Sequence, residues 1–213
     1  RDAQESRGLG DVYKRQSQVC PEIREYERQS TACANAYVQP LMSRYLTKLD
    51  EALQSMGFMC PFLLMTSGGG LTTLDTSIKF PVRLVESGPA GGAILATEIA
   101  KECGIDNVLS FDMGGTTAKI CLIDDYTPQM TRTFEVARVY RNLKGSGLPL
   151  RIPAIEMVEI GAGGGSIAKV DEMKRISVGP ESSGASPGPA CYGQGGLDAT
   201  VTDADVILGR IDP

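Results

Sequence analysis

Residues 108–124 constrain the fold of this chain more than any other stretch. Residues 108–111 and 118–123 are short apolar runs of strand length, and Asp112, Gly114, Gly115, Thr116 and Thr117 stand between them. The pattern predicts a β-hairpin with polar chemistry at its tip. Two adjacent glycines let a backbone come within hydrogen-bond distance of a bulky anion, because no Cβ blocks the approach and positive φ costs little. A phosphate would sit on those amides, with the hydroxyls of Thr116 and Thr117 as further donors. Asp112, at the strand end, would hold a magnesium ion directly or through water, or orient an attacking water. Gly-Gly pairs are also common in ordinary hairpin turns, so on these residues alone both readings stand.

Composition narrows the chemistry. Apolar residues make up 42% of the 213 and charged residues 22%, which is ordinary globular usage and argues against wholesale disorder. A net charge of -5 offers no basic field to displace counterions, so nucleic acid is excluded as the main partner. No apolar run approaches the roughly 18 residues of a membrane span, and no signal-peptide pattern opens the chain, so a soluble cytoplasmic protein is expected. Six cysteines, at positions 20, 33, 60, 103, 121 and 191, form no Cys-x-x-Cys pair and read as buried free thiols. There is no histidine. That removes Ser-His and Cys-His nucleophile pairs and histidine zinc sites from this chain, leaving carboxylates, hydroxyls, lysine, backbone amides or a bound ion.

Residues 1–16 lack periodicity and read as a non-native adapter scar or a disordered terminus, outside the fold. From Pro21 onward Ala34, Tyr37, Val38, Leu41, Met42, Tyr45, Leu46, Leu49 and Leu53 recur at helical steps, predicting a long amphipathic helix that ends at Gly57 and packs this stripe into the core. Pro40 predicts a break or kink within it. Residues 58–65 read as a strand running into Thr66-Ser-Gly-Gly-Gly70, either a ligand approach or a flexible turn. Residues 81–85 read as another strand. Glu86 to Gly92 is then a glycine-rich turn entering a helix over residues 93–103, an arrangement that favours an anion, although capping by Ser87 explains it equally.

Beyond the hairpin, residues 131–140 alternate as a strand, and the apolar residues 152–160 lead into Gly161-Ala-Gly-Gly-Gly-Ser166. With helix entry at Ile167, the amides there would form a second cradle, for a sugar or adenine as readily as for phosphate. A dinucleotide fingerprint fits poorly, because Ser166 replaces the third glycine. Residues 170–178 read as a strand pair or a strand with a turn, residues 179–190 have linker-like composition, and Thr202 reads as the cap of a short last helix. The succession of strand, glycine turn, helix, strand and glycine turn is α/β in character.

Five motifs in this order carry a resemblance: Ser87-Gly-Pro-Ala-Gly-Gly92, Phe111-Asp-Met-Gly-Gly-Thr116, Gly161-Ala-Gly-Gly-Gly-Ser166, Ser186-Pro-Gly-Pro-Ala-Cys-Tyr-Gly193 and Thr202-Asp-Ala204. From about Cys20 to the end the chain resembles the hydantoinase A and 5-oxoprolinase family, which is also related to acetone carboxylase beta subunits. The resemblance implies an α/β fold, one incomplete lobe of an actin/sugar-kinase-like (ribonuclease H-like) ATPase. Residues 17–213 would be a partial hydantoinase A ATPase domain truncated at both ends. It implies ATP and Mg2+ as cofactors, with Asp112 as the catalytic and metal-holding residue. Gly114, Gly115, Thr116 and Thr117 would take the phosphates, and Gly161, Gly163, Gly164, Gly165 and Ser166 the adenosine side. The reaction implied is phosphorylation of a cyclic amide oxygen followed by attack of water. The implied partners are a small cyclic amide, a hydantoinase B-type subunit and further copies in an oligomer. Glu159 stands where many members have threonine. A ketone carboxylase ATPase subunit and a non-catalytic actin-like nucleotide-binding module remain the alternatives.

Overall fold

The computed structural model describes residues 16–137, 139 and 145–212. In chain order the elements are α1 (Gln16–Val19), α2 (Glu25–Ser55), β1 (Leu63–Met65), β2 (Leu71–Thr73), α3 (Leu74–Lys79), a 3-10 turn (Pro81–Leu84) and α4 (Ser87–Cys103). Then come β3 (Val108–Met113), β4 (Ala118–Asp124), β5 (Thr127–Pro128), β6 (Met130–Thr131), β7 (Phe134–Val136), β8 (Leu148–Leu150), β9 (Ala154–Ile155), β10 (Val158–Ile160), β11 (Ser166–Val170), β12 (Ile176–Ser182) and α5 (Val201–Ile207). The chain divides into two compact units, one holding residues up to Ile99 with Pro128–Glu156, the other Ala100–Thr127 with the residues from Met157 onward. The scar assigned to residues 1–16 lies outside the described residues except for Gln16, which opens α1 and accepts a hydrogen bond from Arg28 Nε (3.4 Å). Among the described residues no helix is long and apolar enough to cross a membrane.

The first unit is built on α2, which runs unbroken through Pro40 rather than breaking there. Pro40 lies on the exposed side of the helix, where water can satisfy the carbonyl that lacks its N–H. The buried side also differs from the expected apolar stripe. Thr31, Asn35, Gln39 and Leu46 are buried, whereas Tyr37 (87% exposed), Leu41 and Tyr45 face outward. The polar side chains are inside because backbone groups at the end of α3, in the 3-10 turn and at Arg151 bond to them. Asn35 donates to the Lys79 carbonyl (3.1 Å) and accepts from the Val82 N–H (3.2 Å), Gln39 donates to the Ile78 carbonyl (3.1 Å), and Thr31 Oγ accepts from the Arg151 N–H (2.8 Å). Where a strand was expected over residues 81–85, Pro81–Leu84 form the 3-10 turn, and Asn35 supplies the Val82 N–H with the partner that a sheet would otherwise have given it. Val19, Val82, Leu150 and Ile152 form the apolar core beside it.

Asn35→Ala is therefore expected to destabilise this unit by about 1–3 kcal/mol for each backbone group left without a partner. A denaturant melt with an unchanged midpoint would refute that role for the side chain.

The strand expected over residues 58–65 shrinks to β1, which pairs antiparallel with β2. The three glycines between them close a hairpin. Gly69, at φ +79, leaves no room for a Cβ, which would meet Ile94 at 2.8 Å, so packing and a left-handed turn account for that glycine. Helix α4 begins at Ser87 and not at Ala93, so the glycine-rich residues 88–92 form its first turns instead of a loop before it. The alternation expected over residues 131–140 becomes β6 and β7, paired respectively with β9 and β8; Tyr140 lies outside the described residues. Of the six free cysteines only Cys20 and Cys121 are buried, so the expectation of buried thiols holds for two of them.

In the second unit β3 and β4 pair over six residues, from Val108 opposite Ile123 to Met113 opposite Ala118, and β10 pairs with the other edge of β4. This four-stranded sheet, in the order β10-β4-β3 with β5 also paired to β4, is the predicted hairpin extended by two strands. Directly opposed residues share a face. One face carries Leu109, Phe111, Met113, Ile120, Leu122, Val158 and Ile160, and the other carries Asp112, Lys119 and Glu159 at the end near the tip and Val108, Ser110 and the buried Cys121 and Ile123 further along. The strand-turn-strand expected over residues 170–178 is the β11–β12 hairpin.

Candidate functional site

The chemistry collects where β3 hands over to β4. Gly114 N–H donates to the Thr117 carbonyl (2.9 Å) and closes the tip. No described residue accepts a hydrogen bond from the N–H groups of Gly115, Thr116 or Thr117. These three amides and the two threonine hydroxyls are donors without acceptors among the described residues, on an exposed turn where a Cβ at Gly115 would meet nothing within 4 Å. Asp112 lies at the same end of β3 and is exposed. Free amides, hydroxyls and open space suit an anion, which satisfies donors that the fold leaves unused. Among the described residues no three His, Cys, Asp or Glu side chains gather as a metal cage. A magnesium ion at Asp112 would thus take most of its shell from phosphate oxygens and water, as that ion commonly does.

The second glycine run does something the sequence did not show. Gly164 N–H donates to the Gly114 carbonyl (3.0 Å) and Gly165 N–H to the Gly115 carbonyl (2.7 Å), so residues 163–165 lie directly against the hairpin tip. Gly163 N–H donates to Ser166 Oγ (3.0 Å), and Ser166 N–H to the Gly163 carbonyl (3.0 Å). The amides of Gly163, Gly164, Gly165 and Ser166 are all engaged within the protein. Ile167 belongs to strand β11 and opens no helix, which corrects the expected helix entry and removes the free amides it would have presented. A Cβ on Gly163 would lie 2.6 Å from the carbonyl carbon and oxygen of Gly115, so glycine is required here for backbone-to-backbone approach.

The run is tied in turn to the end of the chain. Thr202 N–H donates to the Gly164 carbonyl (2.8 Å), and Ser183 donates to the Gly165 carbonyl through both N–H (2.8 Å) and Oγ (3.2 Å). The cap of α5 is Thr200, two residues before the expected Thr202. Thr200 and Asp203 form a reciprocal capping box, and the Asp203 carboxylate also accepts from the Cys191 N–H (2.7 Å). The pattern Thr-x-x-Asp over residues 200–203 was the legible signal. Desolvation pulls the Asp203 carboxyl upward, but hydrogen bonds from the Thr200 hydroxyl, the Cys191 N–H and the Thr200 N–H outweigh it and hold it well below the usual carboxylate range. Asp203 beside Cys191 adds to desolvation in raising that thiol.

Because the folded Asp203 binds its proton less readily than the unfolded one, its contribution is fully present above the unfolded value of about 3.9 and is lost as pH falls through the folded value. Asp203→Asn is expected to cost about 1 kcal/mol at neutral pH through the cap and to flatten the acid limb of the stability profile. Superimposable acid limbs for the two proteins would contradict this.

The family model described as hydantoinase/oxoprolinase matches residues 28–213. The chain belongs to that family. Its sequence is 45% identical over 197 residues to an uncharacterized protein of Methanocaldococcus jannaschii, covering 91% of this chain and 29% of that protein. It is 40% identical to caprolactamase subunit alpha of Pseudomonas jessenii, covering 91% of this chain and 27% of the subunit. The crystal structure of that ATP-dependent caprolactamase superposes with a TM-score of 0.67 at 36% identity, over 93% of this chain and 27% of the solved one. A nucleotide-free structure of acetone carboxylase superposes with a TM-score of 0.71 at 26% identity, over 93% of this chain and 26% of the solved one. The hydantoinase/oxoprolinase chain therefore shares the α/β fold of a segment of these enzymes and spans between a quarter and a third of the relatives' length.

Proposed function

We propose that this chain carries a phosphate-binding part of an ATP-dependent cyclic-amide hydrolase of the hydantoinase/oxoprolinase type. The observation that supports it is the hairpin tip with three unengaged amides beside Asp112, buttressed from behind by residues 163–165. Bound ATP with Mg2+ would supply the phosphoryl group that turns a poor amide electrophile into one with a good leaving group. Gly115, Thr116 and Thr117 hold phosphate oxygens through N–H and hydroxyl groups, whereas Gly114, expected among them, spends its N–H on the Thr117 carbonyl and closes the tip. Asp112 orients the water or holds the magnesium shell. Gly163, Gly164 and Gly165 keep the tip in place and Ser166 braces Gly163, and any contact of Gly161 to Ser166 with the adenosine side comes from the outer surface of that run, since the amides from Gly163 to Ser166 are engaged.

Relatives of this chain are named as subunits, which supports a multi-subunit assembly; a hydantoinase B-type partner is part of the proposal. A second reading, the ATPase subunit of a ketone carboxylase, draws on the likeness to acetone carboxylase. ATP turnover by the enzyme containing this chain, measured over hydantoins, 5-oxoproline and lactams, decides between them. Stimulation by a cyclic amide is expected. Stimulation only by a ketone together with bicarbonate would replace the first reading with the second.

A further inference from the structure

A tip made of amides, hydroxyls and one carboxylate has no positive charge of its own, although a nucleotide triphosphate brings several negative ones. Across residues 108–124 and 157–168, which make up the sheet and the buttress, the only lysine or arginine is Lys119. The strand register sets it in a row. Asp112 on β3 stands directly opposite Lys119 on one side, and Glu159 on β10 directly opposite on the other, so the three share one face of the sheet in the order Asp112, Lys119, Glu159. Lys119 is only two residues beyond Thr117, at the end of β4 nearest the tip. Residues opposed across neighbouring strands have Cβ atoms only about 4.5–5.5 Å apart, so a lysine there is flanked by both carboxylates and is long enough to extend toward the turn.

The remaining cations of this unit with ion pairs are placed elsewhere: Lys169 pairs with Glu181, Arg175 with Asp171 and Arg210 with Asp205. Without Lys119 the row would carry two negative charges beside the place where an anion should bind, and like charge there would repel it.

We propose that Lys119 is the phosphate-contacting cation of this site, flanked by Asp112 and Glu159 from the strands on either side. The inference rests on the tip being a phosphate site. It also gives Glu159 a role: its charge opposes a phosphate and is offset by Lys119, so its removal strengthens binding.

The test is a 15N–1H correlation titration of the full 213-residue chain with Mg-ATP, and with inorganic triphosphate plus Mg2+, read at the Gly115 and Thr116 amides. Wild type, Lys119→Gln, Lys119→Arg and Glu159→Gln are compared, and the same spectra report whether each variant is folded. Lys119→Gln is expected to weaken binding about tenfold or more, the scale of a lost charge-assisted contact, with Lys119→Arg recovering most of it. Glu159→Gln is expected to bind several-fold more tightly. Wild type showing no shift at Gly115 or Thr116 would overturn the phosphate-site reading and the role of Lys119 with it. Equal affinity of wild type and Lys119→Gln would overturn the role of Lys119 alone. Should Lys119→Gln misfold, unchanged or weaker binding by Glu159→Gln overturns the proposal.

Discussion

Replacing Asp112 with asparagine is expected to lower the kcat of the enzyme by about 100-fold or more, the scale of a positioned acid–base or electrostatic group, with little change in its melting temperature. Asparagine keeps the shape and the turn-forming ability of aspartate and loses only the charge. The side chain is exposed at the end of β3, so no buried packing is lost with its charge. Steady-state kinetics and a melting curve on one preparation separate the two roles open to it. Full activity in the variant would leave Asp112 as a turn residue and nothing more.

Gly163→Ala should do its damage differently. The added Cβ would lie 2.6 Å from the Gly115 carbonyl group and 2.7 Å from the Gly114 oxygen, and these are backbone atoms that cannot step aside unless the tip itself moves. Overpacking of this kind costs about 1–3 kcal/mol, and here the strain falls on the amides proposed to hold phosphate. A lower melting temperature together with loss of nucleotide binding is expected. Gly92→Ala is the matching control. It sits inside α4, is exposed, and an added Cβ there would meet nothing within 4 Å, so alanine should stabilise by about 0.5–1 kcal/mol through helix propensity. If Gly163→Ala melted and bound like wild type, the close packing of the two glycine runs would be refuted.

The elements legible from the sequence were those in which local pattern and final environment agree. Residues 108–124 are two short apolar runs around a glycine turn, and they form β3, the tip and β4. The long helix was legible as a helix, but its buried side was not. Periodicity weighs Tyr37, Leu41 and Tyr45 as core because they are apolar, whereas the neighbours packed against α2 are the end of α3, whose carbonyls take Asn35 and Gln39, and the 3-10 turn, whose Val82 N–H takes Asn35. Only the tertiary partner reveals that need. Within the candidate site, the tip residues were found from their own chemistry. The function of residues 163–165 was missed because a glycine run looks the same whether its amides await a ligand or carry hydrogen bonds to another loop. Lys119 and Glu159 are 40 positions apart, and the strand register alone makes them neighbours.

That register has a consequence for which changes this part of the chain can absorb. Along β3 the side chains alternate between Leu109, Phe111 and Met113 on one side and Ser110 and Asp112 on the other, with β4 matching them residue for residue. A substitution alters one position on one side. One residue added to or removed from either strand would exchange the two sides from that point onward, moving Asp112 or Lys119 among the apolar residues and stranding Phe111 among the charged ones. The spacing between Val108 and Ile123 should thus be kept even where the residue types drift, so that length, more than identity, marks a working copy of this hairpin.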